Sequence, residues 1–202
     1  MFLGNTMPPT LFDKTTTTPP AALTIIDMQN GTQVSTLPSR NNLGAEYNIV
    51  RLQSASREQS QPVICGRHIG SSPNSAFVPR QGGLEFGDRF IPLRYEHAVG
   101  KNGLDACINA APELWLHAHA IRQVVIVAVS NNNSLEATAR TAGNLGLPCV
   151  VLAEAAFAFD KPNFASTMGS AEDSHPMTLA NRHGEYAGWR RPTRSCFGQY
   201  VP

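Results

Sequence analysis

Two side chains that could carry acid–base or nucleophilic chemistry follow apolar runs of the sequence. Asp27 lies within the run ALTIIDM, and Ser134 follows the run VVIVAV after a few small polar residues. A carboxyl group at the end of a buried strand is partly desolvated, which raises its pKa and suits it to proton transfer. An acid in this position can also cap the next loop, so Asp27 alone leaves both roles open.

Ser134 is predicted to open a helix that follows a strand. Backbone N–H groups at such a helix start can bind an anion or a developing oxyanion. The neighbours of Ser134 are Asn133 and Leu135, so the GxSxG pattern of a nucleophile elbow is absent. Serine is also a common helix N-cap. Nucleophile and cap therefore remain alternative interpretations.

Three basic side chains are candidates to assist. Lys101 lies in the glycine-flanked stretch VGKNG, and it would orient Asp27 and hold its charge if the two met. Taken alone, a lysine in a loop is a solvated charge. Arg67 and His68 follow the run PVIC at a predicted strand end. They could receive an acidic substrate or anchor a loop.

The elements that must position these residues alternate along the chain. Continuous apolar runs, typical of strands buried on both faces, are separated by helical patterns. This alternation predicts a three-layer α/β/α fold with a central parallel sheet. Residues 70–103 are rich in Gly, Pro and Ser and are predicted to be a long loop. The predicted strands are 22–28, 62–69, 123–130 and 148–156, and the predicted helices are 44–57, 105–120, 135–146 and 170–182.

Sites in parallel sheets form at the carboxyl ends of the strands. Asp27, His68 and the segment Ser130–Ser134 all lie at such predicted ends. We therefore expect them to line one pocket.

Taken together, these segments resemble the isochorismatase-like hydrolase superfamily, also called the cysteine hydrolases, over roughly residues 21–188. TIIDMQNG resembles the opening strand of the family, which implies that Asp27 is the catalytic acid. Lys101, which follows Glu96, matches the family lysine. The segment 128–140, AVSNNNSLEATAR, resembles the motif GxxTxxCVxxTAR. The resemblance also implies a Rossmann-like fold and a cis peptide bond at Val129–Ser130.

The sequence departs from this motif at two positions. Asn131 stands where the family has Thr, and Ser134 where it has the nucleophilic Cys. A serine hydroxyl is much harder to ionise than a thiol, and no histidine is evident as its base. The Asp/His metal set of nicotinamidases has no counterpart, so we predict no metal and no cofactor. The expected substrate-binding residues are Gln29, Arg67, His68, Ser130, Asn131 and Asn133.

Three functions follow as hypotheses. The first is a hydrolase that needs no thiol, in which Asp27 acts as general acid on a vinyl ether, ester or amide, as the resemblance to isochorismatase proper implies. The second is an amidase or esterase that uses Ser134 as nucleophile. The third is an inactive family member that serves as a binding or scaffold protein.

Composition narrows the classes of partner. Formal net charge is +1, 15% of residues are charged and 42% are hydrophobic. This balance indicates a globular chain, with no electrostatic footprint for nucleic acid or a membrane surface. Four cysteines are scattered without a CxxC motif, and Cys65 and Cys149 lie in apolar runs. We expect a cytoplasmic homo-oligomer that acts on a small molecule.

The chain is predicted to have three parts. Residues 1–20 are rich in Thr and Pro and form a flexible arm without the features of a signal peptide. Residues 21–188 form the hydrolase domain. Residues 189–202 are an atypical tail that contains Cys196.

Overall fold

The computed structural model describes residues 21–107, 112–181 and 187–190, which fold around a six-stranded sheet. All neighbouring strands in this sheet are parallel, in the order β3-β2-β1-β4-β5-β8. The predicted α/β fold with a central parallel sheet is confirmed. The strands of the sheet are β1 Ala21–Ile26, β2 Val63–His68, β3 His97–Lys101, β4 Gln123–Val129, β5 Cys149–Phe157 and β8 Gly188–Arg190. Two short strands, β6 Lys161–Pro162 and β7 Met168–Gly169, form a separate antiparallel hairpin.

Strand β1 shows why the apolar runs form the sheet. Its side chains alternate between the two faces, with Leu23 and Ile25 in one core cluster and Ala22 and Ile26 in the other. All six residues of β1 are buried. A strand covered on both faces needs mostly apolar residues, and Thr24 is the one polar residue of β1.

Four α-helices of the described residues cover the two faces. Helix α1 packs Ile49 and Leu52 into the first core cluster, whereas α2, α3 and α4 contribute Leu116, Ala139 and Leu179 to the second. The result is a three-layer arrangement. The helices are α1 Ala45–Glu58, α2 Pro112–Ala118, α3 Glu136–Asn144 and α4 Ala171–Ala180.

Local residues set the start of α4 and the end of α3. The side chain of Ser170 accepts a hydrogen bond from the Asp173 N–H at the start of α4. Helix α3 ends before Gly146, which has a φ of +72°. The Gly146 N–H donates to Gly143 O, and the Leu147 N–H donates to Ala142 O. This is the Schellman arrangement, which a glycine with positive φ permits.

Two predicted elements need correction. The loop prediction for 70–103 is wrong at 97–101, because these residues form β3 at the edge of the sheet. An edge strand has an exposed side, and only Val99 and Lys101 of β3 are buried. The sequence of β3 therefore has no continuous apolar run from which a strand could be predicted. The helix prediction for 105–120 is wrong at 105–107, where the Asp105 carboxylate accepts from the Cys107 N–H instead.

The chain ends lie largely outside the described residues. This applies to the predicted arm 1–20 and to 191–202, which includes Cys196. Strand β8 crosses the predicted boundary at 188 and pairs with β5. No helix among the described residues is both long and apolar enough to span a membrane.

Candidate active site

Three strands and a π-helical turn bring Asp27, Lys101 and Ser134 together at the carboxyl edge of the sheet. Asp27 follows β1 directly, with a φ of +57°. Aspartate tolerates this left-handed conformation better than most residues. Lys101 is the last residue of β3, which lies two strand spacings from β1, or roughly 10 Å. The long lysine side chain covers this separation.

Ser134 lies in a π-helical turn, Asn131–Leu135, that joins β4 to α3. The predicted start of the helix at residue 135 therefore misses one turn. The peptide bond Val129–Ser130, where the turn leaves β4, is cis, as the resemblance implies. Thr138 fixes the serine from one helical turn later, because its hydroxyl donates to Ser134 O at 2.7 Å.

The three polar side chains form a closed triangle of hydrogen bonds. Lys101 Nζ donates to Asp27 Oδ2 at 2.8 Å and lies 3.0 Å from Ser134 Oγ. Ser134 Oγ donates to the same Asp27 Oδ2 at 2.6 Å. Lys101 Nζ also lies 3.3 Å from Gly103 O. A single carboxylate oxygen thus receives both donors.

The other oxygen, Asp27 Oδ1, is buried and has no hydrogen-bond partner among the described residues. Burial raises the pKa of Asp27 above its ordinary value, because desolvation outweighs the lowering effect of Lys101 and of the Ser134 hydrogen bond. Lys101 is only 1% exposed and Asp27 6%. The arrangement therefore combines a buried ion pair with a carboxyl oxygen that remains available.

Gln29 ties the adjacent loop to this edge. Its side chain is fully buried, with Nε2 donating to His68 O at 3.0 Å and to Leu84 O at 2.8 Å. The His68 N–H donates to Gln29 Oε1 at 2.7 Å. All of these contacts are with protein groups, so Gln29 positions His68 in this structure. Its predicted contact with substrate stays a prediction.

The two basic residues at the end of β2 differ in their surroundings. His68 Nδ1 lies 3.4 Å from Gly103 O, the carbonyl that also receives Lys101. The Arg67 guanidinium lies 3.9 Å from the Glu85 carboxylate and over the ring of Phe86. Of the two, His68 is the one that lies beside the triangle.

The remaining predicted substrate residues lie on the π-helical turn and face different neighbours. Ser130 Oγ donates to the Asn132 side chain. Asn131 is fully buried, and its Nδ2 donates to His175 Nδ1 at 3.0 Å on α4. Asn133 Oδ1 accepts from Lys161 Nζ at 3.4 Å. The structure thus does not gather all three into one subsite.

Several contributors to the site escaped sequence reasoning. The Gly103 carbonyl could not be found from a sequence, because any residue type supplies a carbonyl. Thr138 lies in the TAR end of the resembled motif, which is the one available signal. Lys161 lies close to the turn only because of the β6–β7 hairpin.

None of the three side chains of the triangle is a thiol. Cys65 and Cys149 are buried in the core, as predicted. Burial raises the pKa of Cys65 to about 12, which keeps it a thiol. No group of three or more His, Cys, Asp or Glu side chains in this part is arranged to hold a metal ion.

Comparison with known proteins defines the class. The isochorismatase domain matches residues 21–178, so the chain belongs to the isochorismatase family. The isochorismatase family protein YrdC of Bacillus subtilis (strain 168) is 30% identical over 166 residues, which cover 82% of this chain and 89% of YrdC.

Solved structures share the fold over nearly the whole chain. A hydrolase of the isochorismatase family from Chromobacterium violaceum ATCC 12472 superposes with a TM-score of 0.86 at 32% identity, covering 96% of this chain and all of the other. N-carbamoylsarcosine amidase from Thermoplasma acidophilum superposes with a TM-score of 0.67 at 17% identity, over 85% and 96% of the two chains. The second likeness concerns the fold alone. Family and neighbours together indicate a hydrolase-like protein.

Proposed function

We propose that this protein hydrolyses a small molecule through Asp27 as general acid, without a thiol nucleophile. The substrate class that fits best is a vinyl ether, and an ester or amide is the alternative. In this proposal Ser134 occupies the place of the nucleophilic cysteine of the superfamily. Lys101 is the partner that holds the charge state and orientation of Asp27.

The observation that carries the proposal is the unequal use of the two carboxyl oxygens. Oδ2 receives Lys101 and Ser134, whereas Oδ1 has no partner among the described residues. A proton on Oδ1 leaves the contacts of Oδ2 intact. The raised pKa of Asp27 favours such a proton, because burial penalises the charged carboxylate.

Hydrolysis of a vinyl ether then needs one proton and one water. Asp27 Oδ1 gives its proton to the terminal carbon of the enol ether, and the oxygen-bearing carbon becomes an oxocarbenium ion. The Asp27 carboxylate takes a proton from water as that water adds to the cationic carbon. The resulting hemiketal breaks the C–O bond to the original ether oxygen as its hydroxyl proton passes to that oxygen, which releases an alcohol and a carbonyl compound. Asp27 ends in its starting protonation state.

Lys101 and Ser134 stabilise the carboxylate that forms in the first step. The Lys101 ammonium lies 2.8 Å from Asp27 Oδ2, and the Ser134 hydroxyl donates to the same oxygen. Charge-assisted hydrogen bonds are strongest to an ionised acceptor, so they strengthen as the proton leaves. General acid catalysis of this kind contributes roughly 10²–10⁴-fold in rate.

A second candidate function is favoured by one contact. Ser134 Oγ donates to Asp27 Oδ2 at 2.6 Å, a distance at which the carboxylate could act as base for a nucleophilic serine. Attack on an ester or amide carbonyl would leave the acyl group on Ser134 and release the alcohol or amine, which takes the serine proton from Asp27. Hydrolysis of that acyl-enzyme would release the acid.

The experiment that separates these functions is an assay of isochorismate and a panel of small amides and esters. Wild type, Ser134→Ala and Ser134→Cys are compared, and intact mass is recorded during turnover. General acid catalysis predicts that Ser134→Ala keeps turnover within about tenfold of wild type, since it loses one hydrogen bond to a charged group. No mass is then added to Ser134.

The serine mechanism predicts the opposite pair of results. Ser134→Ala loses turnover, and an acyl group appears on wild-type Ser134 by mass spectrometry. A binding or scaffold protein predicts no turnover of any substrate, in wild type or in Ser134→Cys, and unaltered binding after Asp27→Ala.

A further inference from the structure

A buried asparagine joins the π-helical turn to helix α4. Asn131 is fully buried, and its Nδ2 lies 3.0 Å from His175 Nδ1 and 3.2 Å from His175 O. Both of these atoms belong to one residue, which lies 44 positions further along the chain. The first residue of the turn is therefore attached to a separate helix by a two-point contact.

This two-point contact determines where the imidazole carries its proton. A backbone carbonyl can only accept, so the Asn131 atom that faces His175 O must be the amide nitrogen, because an oxygen there would face another acceptor. The same nitrogen faces Nδ1, so Nδ1 must accept as well. The contact thus needs a neutral His175 with its proton on Nε2, since a proton on Nδ1 would place two donors against each other.

The attached turn is the one that presents Ser134 to Asp27. The Glu136 N–H donates to Asn131 O across the turn, and Ser134 lies between these two residues. Ser134 Oγ lies 2.6 Å from Asp27 Oδ2 and 3.0 Å from Lys101 Nζ. Hydrogen bonds weaken steeply as their distances and angles depart from such values, so a shift of the turn weakens both contacts.

Two carboxylates share the surroundings of His175. Helix α4 packs on the π-helical turn and on β5. The turn contains no charged residue, whereas Glu172 of α4 and Glu154 of β5 line one cavity with His175. Negative charges favour the protonated imidazole, but the Asn131 contact requires the neutral one. Acidification therefore works against the contact between the turn and α4.

We propose that Asn131 and His175 form a positioning pair, which holds Ser134 against Asp27 while the imidazole is neutral and releases it on protonation. Neither residue of the pair belongs to the triangle, and both act through the turn. The proposal rests on the proposed function, because it assigns how the hydroxyl partner of Asp27 is kept in place.

The test uses two replacements of His175 that place an acceptor at different distances from the backbone. In His175→Asn the side-chain oxygen is as many bonds from Cα as Nδ1 is, and it does not titrate, whereas in His175→Gln the polar atoms are one bond further out. Each replacement is combined with Ser134→Cys, and alkylation of the introduced thiol by iodoacetamide is followed by peptide mass spectrometry. A thiol beside Lys101 is activated as the thiolate, so its rate reports whether the turn is in place. His117→Gln, at an exposed histidine of α2, is the matched control.

We expect His175→Gln to lower the alkylation rate about tenfold at pH 8, because a thiol that moves away from Lys101 loses the charge that activates it. His175→Asn and His117→Gln should keep the rate of the Ser134→Cys parent. Between pH 8 and pH 5.5 the parent should become about tenfold slower relative to His175→Asn, which has no imidazole to protonate. Equal rates in all variants, or the same pH dependence in the parent and in His175→Asn, would overturn the proposal.

Turnover separates this proposal from the proposed function. In the chain that keeps Ser134, His175→Gln should reduce kcat for isochorismate by about tenfold, and Ser134→Ala/His175→Gln should lose no more than Ser134→Ala alone, since both changes affect the same hydrogen bond. A further loss in the double variant would show that the contact acts elsewhere in the fold and would overturn the pair. If alkylation responds to His175→Gln but no substrate is hydrolysed, the positioning pair stands and the proposed function fails.

Discussion

One ion pair lies at each end of strand β3, and the two pairs differ in how the oxygens of their carboxylates are hydrogen-bonded. Glu96 precedes the strand and pairs with Arg57. Lys101 ends the strand and pairs with Asp27. Because β3 is only five residues long, both ion pairs lie along the same edge strand of the sheet.

The Arg57–Glu96 pair has every oxygen occupied. Arg57 Nε donates to Oε1 at 2.8 Å and Nη2 to Oε2 at 2.9 Å, which is the bidentate geometry that suits a guanidinium. The Leu93 N–H adds a third bond to Oε2 at 2.7 Å. Neither oxygen of this carboxylate is without a partner. The pair therefore holds the loop before β3 to the end of α1.

The Lys101–Asp27 pair is unevenly satisfied. Both donors use Oδ2, and Oδ1 is buried without a partner in the described structure. An unpaired buried oxygen costs stability, so a purely structural pair would be expected to avoid it. The comparison teaches that the unsatisfied oxygen, more than the ion pair itself, marks the candidate site.

The largest expected effect is on catalysis. Asp27→Asn should reduce turnover about a thousandfold, because an amide cannot supply the proton of a general acid. Glu96→Gln should leave turnover within about threefold of wild type, since this residue touches no member of the triangle. Turnover of the substrate found in the assay measures both. Similar losses of turnover in Asp27→Asn and Glu96→Gln would show that β3 acts as one unit and would contradict the distinction between the two ion pairs.

The next effect concerns stability and its dependence on pH. Lys101→Met should cost about 3 kcal/mol of unfolding free energy at pH 8, because the buried Asp27 carboxylate then lacks the positive charge it pairs with. Without Lys101 the folded-state pKa of Asp27 rises further above its unfolded value, so the folded protein binds more protons between the two values. Stability is therefore lost as the pH rises through that window, and the deficit should shrink at pH 5.

Urea denaturation of Lys101→Met and wild type at the two pH values measures this difference. The control is Asp27→Asn/Lys101→Met, in which neither charge remains and the pH dependence should disappear. A deficit of equal size at pH 5 and pH 8 would contradict the raised pKa of Asp27.

The smallest effect belongs to the satisfied pair. Glu96→Gln should cost about 2 kcal/mol of unfolding free energy, because it removes charged hydrogen bonds from a side chain that is 2% exposed. Arg57→Lys should cost about 1 kcal/mol, since lysine lacks the two-pronged geometry. Glu58→Gln, a neighbouring exposed position at the end of α1, should change stability little. Thermal or urea unfolding measures these differences. An equal loss of unfolding free energy in Glu58→Gln and Glu96→Gln would show that the bidentate ion pair does not stabilise the fold.

Much of the fold could be predicted from local patterns. Apart from Thr24, the runs around Val125 and Ile25 are apolar, which predicts burial on both faces and so a parallel sheet with helices on each side. Ser170 and Gly146 set helix ends through their own chemistry. These features depend on residues that are close in sequence, so they can be predicted from one sequence alone.

Strand β3 could not be predicted in the same way. Its exposed side allows polar residues and a glycine, so HAVGK has no strand signal of its own. It becomes a strand because β2 offers a free edge, with Cys65 opposite Ala98 and His68 opposite Lys101. Lys101 was assigned to the site by resemblance and by its residue type, and not by its element.

The sequence by itself determined the class of fold, the family and the residue types at the ends of the apolar runs. An acid after β1 and a hydroxyl after β4 are local facts, and parallel strands bring such ends to one edge. Only the tertiary structure decided which donors meet which oxygen of Asp27, that Glu96 turns to Arg57, and that Lys161 lies beside Asn133. These outcomes depend on distances between segments tens of residues apart, which are set by packing and not by any local pattern.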